Sequence, residues 1–140
     1  MGKDKKSPDQ LFKEAKGKFK KHYDALLSMK ESEELDEIIE SIKDYVKAYA
    51  KGVSTSQLRN IYSKIKPLKK EEDINRLKLE RPKIAYIIAR QQDKQDAVAM
   101  MLVIDDLMKS VKTKSQLDNF QYFMESVVAY HKYYDKLGTN

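Results

Sequence analysis

The sequence predicts an all-α fold, and two observations lead there. Apolar residues recur at spacings of three and four almost throughout, and runs of alternating β-branched residues are missing. With four glycines and three prolines in 140 residues, helix-breaking signals are sparse. A chain of this length suits one domain that buries roughly 70% of the surface its unfolded form exposes. The expected architecture is a single-domain bundle of about five to six antiparallel helices with short connections.

The elements follow in order. Residues 7–10, Ser-Pro-Asp-Gln, read as a helix start: Ser7 as N-cap, Pro8 in the first helical position, Gln10 completing a capping box. Phe12, Ala15, Phe19, Tyr23 and Leu26 then recur at helical spacing among many lysines. Residues 1–31 are therefore expected as a lysine-rich extension, a helix marginal on its own or an arm. Residues 32–140 are expected as the bundle domain. Its first helix carries acidic residues in the opening turn, a stripe of Leu35, Ile38, Ile39, Ile42, Tyr45, Val46 and Tyr49, and Gly52 at its end.

GVSTSQL, residues 52–58, opens the next helix through a Val53 and Leu58 staple around Ser54 and Gln57, and Pro67 closes it. A short charged helix is expected over 70–79, and Pro82 either kinks it or begins another that runs to about 92. Residues 94–112, with the nearly continuous AVAMMLVI, mark the centre of the core. The last helix runs from Ser115 to about 136, with Leu117, Phe120, Met124, Val127, Val128 and His131 inward and Gly138 at its end.

Cysteine is absent, which removes disulfides, thiolate metal sites and a Cys nucleophile and fits a cytoplasmic location. No apolar run is long enough for a membrane span, and nothing resembling a secretion signal follows MGKDKKSPDQ. Catalytic chemistry finds no foothold either. His22 and His131 lie far apart and outside any ligand spacing, and His131 suits helix packing. Tyr62 and Lys66 fit Tyr-x-x-x-Lys, and Ser63 and Lys66 fit Ser-x-x-Lys, but the companion motifs are missing. Asp105-Asp106 and the acidic run 31–40 read as solvated helix surface. No metal, cofactor or catalytic residue is expected.

Charge is more informative. The net +6 divides into +5 over residues 1–30, −5 over 31–50, +7 over 51–90 and −1 over 91–140. A +7 block inside the folded part points to a polyanion such as nucleic acid. Arg59 and Lys66 are seven apart on the polar face of one helix, and Lys83 and Arg90 repeat that spacing on another, with Tyr86 beside them. Arg81, Lys83 and Arg90 stand among Ile84, Ala85, Ile87 and Ile88, so that helix is expected to be largely buried. A buried cation needs a partner, either an internal carboxylate or an external anion.

Three stretches together resemble one family, the small all-helical Csm subunit of type III-A CRISPR interference complexes: GVSTSQLRNIY (52–62), RPKIAYIIAR (81–90) and FQYFMESVVAYHKYY (120–134). Order, spacing and length agree over roughly residues 33–137. Ala89 stands where the family usually has glycine, and residues 1–30 extend beyond its usual start. The resemblance implies a non-catalytic, RNA-binding scaffold subunit, present in several copies, in a minor filament along the guide RNA–target RNA duplex beside the other Csm subunits. It implies sequence-independent contact through Arg59, Arg81, Lys83, Arg90 and Lys132. With the helical rows, the expected RNA-binding set is Arg59, Lys66, Arg81, Lys83, Tyr86, Arg90 and Lys132. Two alternatives are the small subunit of the related type III-B complex and a helical protein–protein adaptor with Tyr130, Tyr133 and Tyr134 as contact patch.

Overall fold

A computed structural model describes residues 5–138. Among these the chain forms α1 (Pro8–Gly17), an irregular run of 3-10 turns (Lys20–Glu31), α2 (Leu35–Tyr49), α3 (Thr55–Ile65), α4 (Ile74–Lys78), α5 (Arg81–Arg90), α6 (Gln95–Ser110) and α7 (Lys114–Leu137). The seven helices exceed the expected five to six. The physical reason is local punctuation: Ser7 and Gln10 form a complete capping box that starts α1, and Pro82, in the first turn of α5, lets a new helix begin after the short α4.

α6 is the central helix. Its AVAMMLVI stretch has no polar face, and Ala97, Val98, Ala99, Met100, Met101, Val103, Ile104, Leu107 and Met108 are all buried. A helix apolar all round must be covered all round, and α1, α2 and α5 pack against it. α7, the longest helix, carries α2, α3 and the Lys20–Glu31 run. α2 thus bridges the two long helices through Tyr45, which is fully buried. Its hydroxyl donates to the Met100 carbonyl at 2.6 Å, and its ring lies 6.0 Å from Phe123 of α7 and 4.8 Å from Phe19.

The segment before residue 32 feeds the same core. Leu11, Ala15, Phe19, Tyr23 and Leu26 are buried in one cluster with the helices of residues 32–138. Lys20, at φ 55°, takes the left-handed conformation that turns the chain after α1. Tyr23 then donates to Asp106 of α6 at 2.6 Å. α4 docks through Lys78, whose ammonium donates to the carbonyls of Met108 (3.1 Å) and Lys109 at the end of α6.

Two outcomes follow from this core. Phe19→Ala should cost about 3–5 kcal/mol, the usual range for deleting a buried phenyl ring. Urea denaturation measures it, and a loss near zero would mean that residues 8–31 are not part of the cooperative core. Burial also pushes the phenols of Tyr23 and Tyr45 well above the ordinary value, and that of Tyr49 up to about 12. The folded state therefore keeps protons that unfolded tyrosines release at about pH 10. It binds more protons than the unfolded state, so this stability is present below about pH 10 and falls as pH rises through 12. Loss of helical circular dichroism should coincide with the last part of the rise in tyrosinate absorbance, the part that Tyr23, Tyr45 and Tyr49 contribute. Full ionisation in an intact helical fold would contradict the burial.

Candidate nucleic-acid interface

The start of α3 is held from three sides. Ser54 caps the helix by accepting from the Gln57 amide at 3.0 Å, and Val53 and Leu58 are both buried beside it. Gly52 lies so close to the start of α6 that a Cβ there would sit 2.5 Å from the Ala97 nitrogen. Only glycine permits that approach. From α7, His131 completes the clamp: Nε2 donates to the carbonyls of Ala50 (2.8 Å) and Val53 (2.6 Å), and Nδ1 accepts from the Thr55 hydroxyl at 2.6 Å. Both Nε2 partners are carbonyls, which assigns the proton to that nitrogen. Gln121 of α7 donates to the Ile65 carbonyl at 2.9 Å, so α7 grips α3 at both ends.

This clamp presents a groove of about 560 Å³ lined by Lys51, Arg59 and Lys132, the hydroxyls of Ser54, Thr55 and Ser56, and Asp135. Among the described residues none of the three cations has a carboxylate within ion-pair distance. The first turn of α3 has no acidic residue, so its amide dipoles add to the positive field. A second groove of about 560 Å³ lies on the other side of α3, between Gln57, Asn60 and Ile61 and the α5 residues Tyr86, Ile87 and Arg90, with Gln91, Asp93 and Lys94 at its end. Tyr86 is 63% exposed, and the Arg90 guanidinium lies 5.8 Å from its ring centroid. A third groove of about 530 Å³, lined by Lys6, Lys51, Gly52, Asp93, Lys94 and Asp96, shares Lys51 with the first and Asp93 and Lys94 with the second. Lys132, Arg59, Lys51, Lys94 and Arg90 thus line neighbouring grooves around the first half of α3, a basic band interrupted by Asp135, Asp96 and Asp93.

The other expected site residues lie elsewhere. Lys66, at the far end of α3, shares a separate groove with Lys30 and Lys69. Arg81 has its partner inside the molecule: Nε and a terminal nitrogen donate to the two oxygens of Asp105 of α6 at 2.8 and 3.1 Å. Those hydrogen bonds raise the Arg81 pKa further. Lys83 meets Glu80 at 3.3 Å, one turn earlier. The expectation of a largely buried helix is corrected: within α5 only Ile84 is buried, and Ala85 and Ala89 are exposed. The helix rests on α6 by one face, so its cations stand on an outer surface rather than in an apolar interior. Asp105 and Asp106, expected as plain solvated surface, are instead docking points for α5 and for Tyr23. Of the tyrosines near the C-terminus, Tyr134 is buried, and Tyr133 packs edge-on against it at 5.1 Å.

A family model described as Csm2 Type III-A matches residues 30–137, most of the chain. The chain belongs to the Csm2 type III-A family. Searches of curated proteins and of solved structures return no match. The Csm2 match includes every member of the basic band, and it begins after α1, so the buried contribution of Leu11, Ala15 and Phe19 comes from outside the family region. Membership identifies a small type III-A Csm subunit, in agreement with the resemblance carried by residues 52–62, 81–90 and 120–134. Among the described residues no group of three or more acidic or histidine side chains is placed to hold a metal ion, and no helix is long and apolar enough to cross a membrane. Lys51 and Lys94 are not legible in the sequence as site residues. Each sits in a connection, outside any helical row, and only the packing of Gly52 on α6 brings them together.

Proposed function

We propose that this Csm2-family chain is a non-catalytic RNA-binding scaffold subunit of a type III-A effector complex, lying along the guide RNA–target RNA duplex and touching it without reading its sequence. The observation that carries the reading is the cluster of Lys51, Arg59 and Lys132. Three cations without carboxylate partners converge on a helix N-terminus, an arrangement that suits phosphate. Pairing between the RNA strands supplies specificity in such complexes, so the protein has to supply positive charge and shape alone. Arg90, Tyr86 and Lys94 continue the track. Lys66 and Lys83 are outlying contributors, and Arg81, engaged by Asp105, serves mainly to dock α5 on α6.

Several copies would stack head to tail through heterologous contacts. The exposed acidic residues of α2, Asp36, Glu37, Glu40 and Asp44, form the face that suits a basic surface of the next copy. The other Csm subunits complete the partner set.

Binding of the isolated chain to single-stranded RNA should be weak, indifferent to sequence and strongly salt-dependent. Replacing Lys51, Arg59 and Lys132 with alanine should weaken it and flatten the plot of log affinity against log salt by about 0.7 for each phosphate no longer neutralised. Arg81→Ala should leave the slope unchanged and cost at most about 1 kcal/mol of stability, as expected for a half-exposed ion pair. A triple variant that binds with wild-type affinity and slope would remove the assigned site. For assembly, Glu37→Lys with Glu40→Lys should reduce the number of copies incorporated into reconstituted complexes, read by native mass spectrometry. Unchanged copy number would exclude α2 as the contact face.

A further inference from the structure

We infer that the groove between α3 and α5 holds an unstacked nucleobase of the bound RNA, with Tyr86 as stacking platform and the side-chain amides of Gln57, Asn60 and Gln91 along the base edge. The inference deepens the RNA-binding reading and rests on it. The two grooves that flank α3 differ in chemistry. The one at Lys132 sets three cations against one carboxylate, which suits phosphate. The one at Tyr86 sets Arg90 and Lys94 against Asp93 and adds three primary amides. A phosphate offers only acceptors, so amide carbonyls gain nothing from it. A base edge offers both donors and acceptors, and an amide can answer both.

Two further observations point to a missing occupant. The Gln91 side-chain oxygen is buried and has no hydrogen-bond partner among the described residues. Buried acceptors are rarely left in that state, because they have given up water without a replacement. The amide groups of Gln57 and Asn60 likewise have no side-chain hydrogen bond among the described residues. Tyr86 is one of only a few large apolar side chains that stand exposed among the described residues, and the nearby Arg90 guanidinium braces its ring. Exposed aromatic faces beside a cationic track are where single-stranded bases stack, with little dependence on base identity. At about 560 Å³ the groove falls within the usual range of small-ligand clefts, roughly 300–1,000 Å³. A fully paired duplex offers no free base, so the occupant is an unpaired or extruded nucleotide of the strand whose phosphates follow the basic band.

The test compares three RNAs of equal length by fluorescence anisotropy with the full chain: an intact single strand, a single strand carrying abasic sites, and a perfect duplex. The two single strands have the same phosphates and differ only in bases. The wild-type chain should bind the intact strand at least about five-fold more tightly than the abasic one. Tyr86→Ala and Gln91→Leu should each weaken binding to the intact strand more than to the abasic strand and so shrink that preference, and Tyr86→Phe should retain it, since the ring and not the hydroxyl is the platform. Tyr86 is exposed, so its variants should fold, and circular dichroism checks this. Equal wild-type affinity for intact and abasic strands overturns the base pocket and leaves the RNA-binding reading standing. A preference that shrinks as much in Tyr86→Phe as in Tyr86→Ala overturns stacking. Failure to bind any of the three RNAs overturns the RNA-binding reading itself.

Discussion

The organisation of this molecule rests on one constraint: α6 is apolar around nearly its whole circumference and has to be enclosed. A 16-residue helix in which nine side chains are buried cannot sit on the outside of a bundle. α1, α2 and α5 supply the enclosure, and the side on which each one lies fixes where the rest of the chain can travel. The last turns of α6 carry its polar exceptions, Asp105 and Asp106, and these act as directional anchors. One accepts from Arg81 and so orients α5; the other accepts from Tyr23 and so orients the N-terminal segment.

The basic surface around α3 is a consequence of that enclosure. Gly52 has to pass against the start of α6, and its lack of a side chain lets the loop come close enough to present Lys51 beside Arg59 and Lys132. His131 serves the same end from α7. With both ring nitrogens committed to the loop, it acts as a structural clamp and has no lone pair left for a metal or a substrate. The same clamp exposes the second face of α3 to α5, creating the groove at Tyr86 and Arg90. Lys51 and Lys94 thus stand on connections and Arg59 and Lys132 on the helix faces beside them, without a carboxylate in ion-pair distance among the described residues, while the paired Arg81 holds α5 on α6.

Much of this is legible in the sequence because it depends on near neighbours in the chain. Capping at Ser7 and Ser54, the break at Pro82, the apolar stripes of α2 and α7 and the central position of α6 all follow from periodicity and from hydrogen bonds within a turn or two. Arg59 and Lys132 can be named from their resemblance to family positions, and Tyr86 and Arg90 from helical spacing. Less legible is the fate of Arg81, because the helix-wheel argument places a side chain on a face without saying what stands opposite. Its partner Asp105 is 24 residues away. The depth of α5 escapes the sequence for a related reason: Ile84, Ile87 and Ile88 make an apolar face, but whether a second layer covers the opposite face depends on the path of the whole chain.

The sequence by itself determined an all-helical chain, the helix caps at Ser7 and Ser54, a core centred on residues 97–108, a block of excess positive charge over 51–90 and a set of motifs typical of the Csm2 family. These are properties of composition and short-range spacing, which survive without knowledge of contacts. Tertiary structure alone decided which cations are free and which are bound, that residues 8–31 belong to the core, and that Lys51 and Lys94 join the basic band. The reason is physical: a charge is neutralised, or left available, by whatever lies within a few ångströms in space, and for a folded bundle those neighbours come from helices distant in the chain.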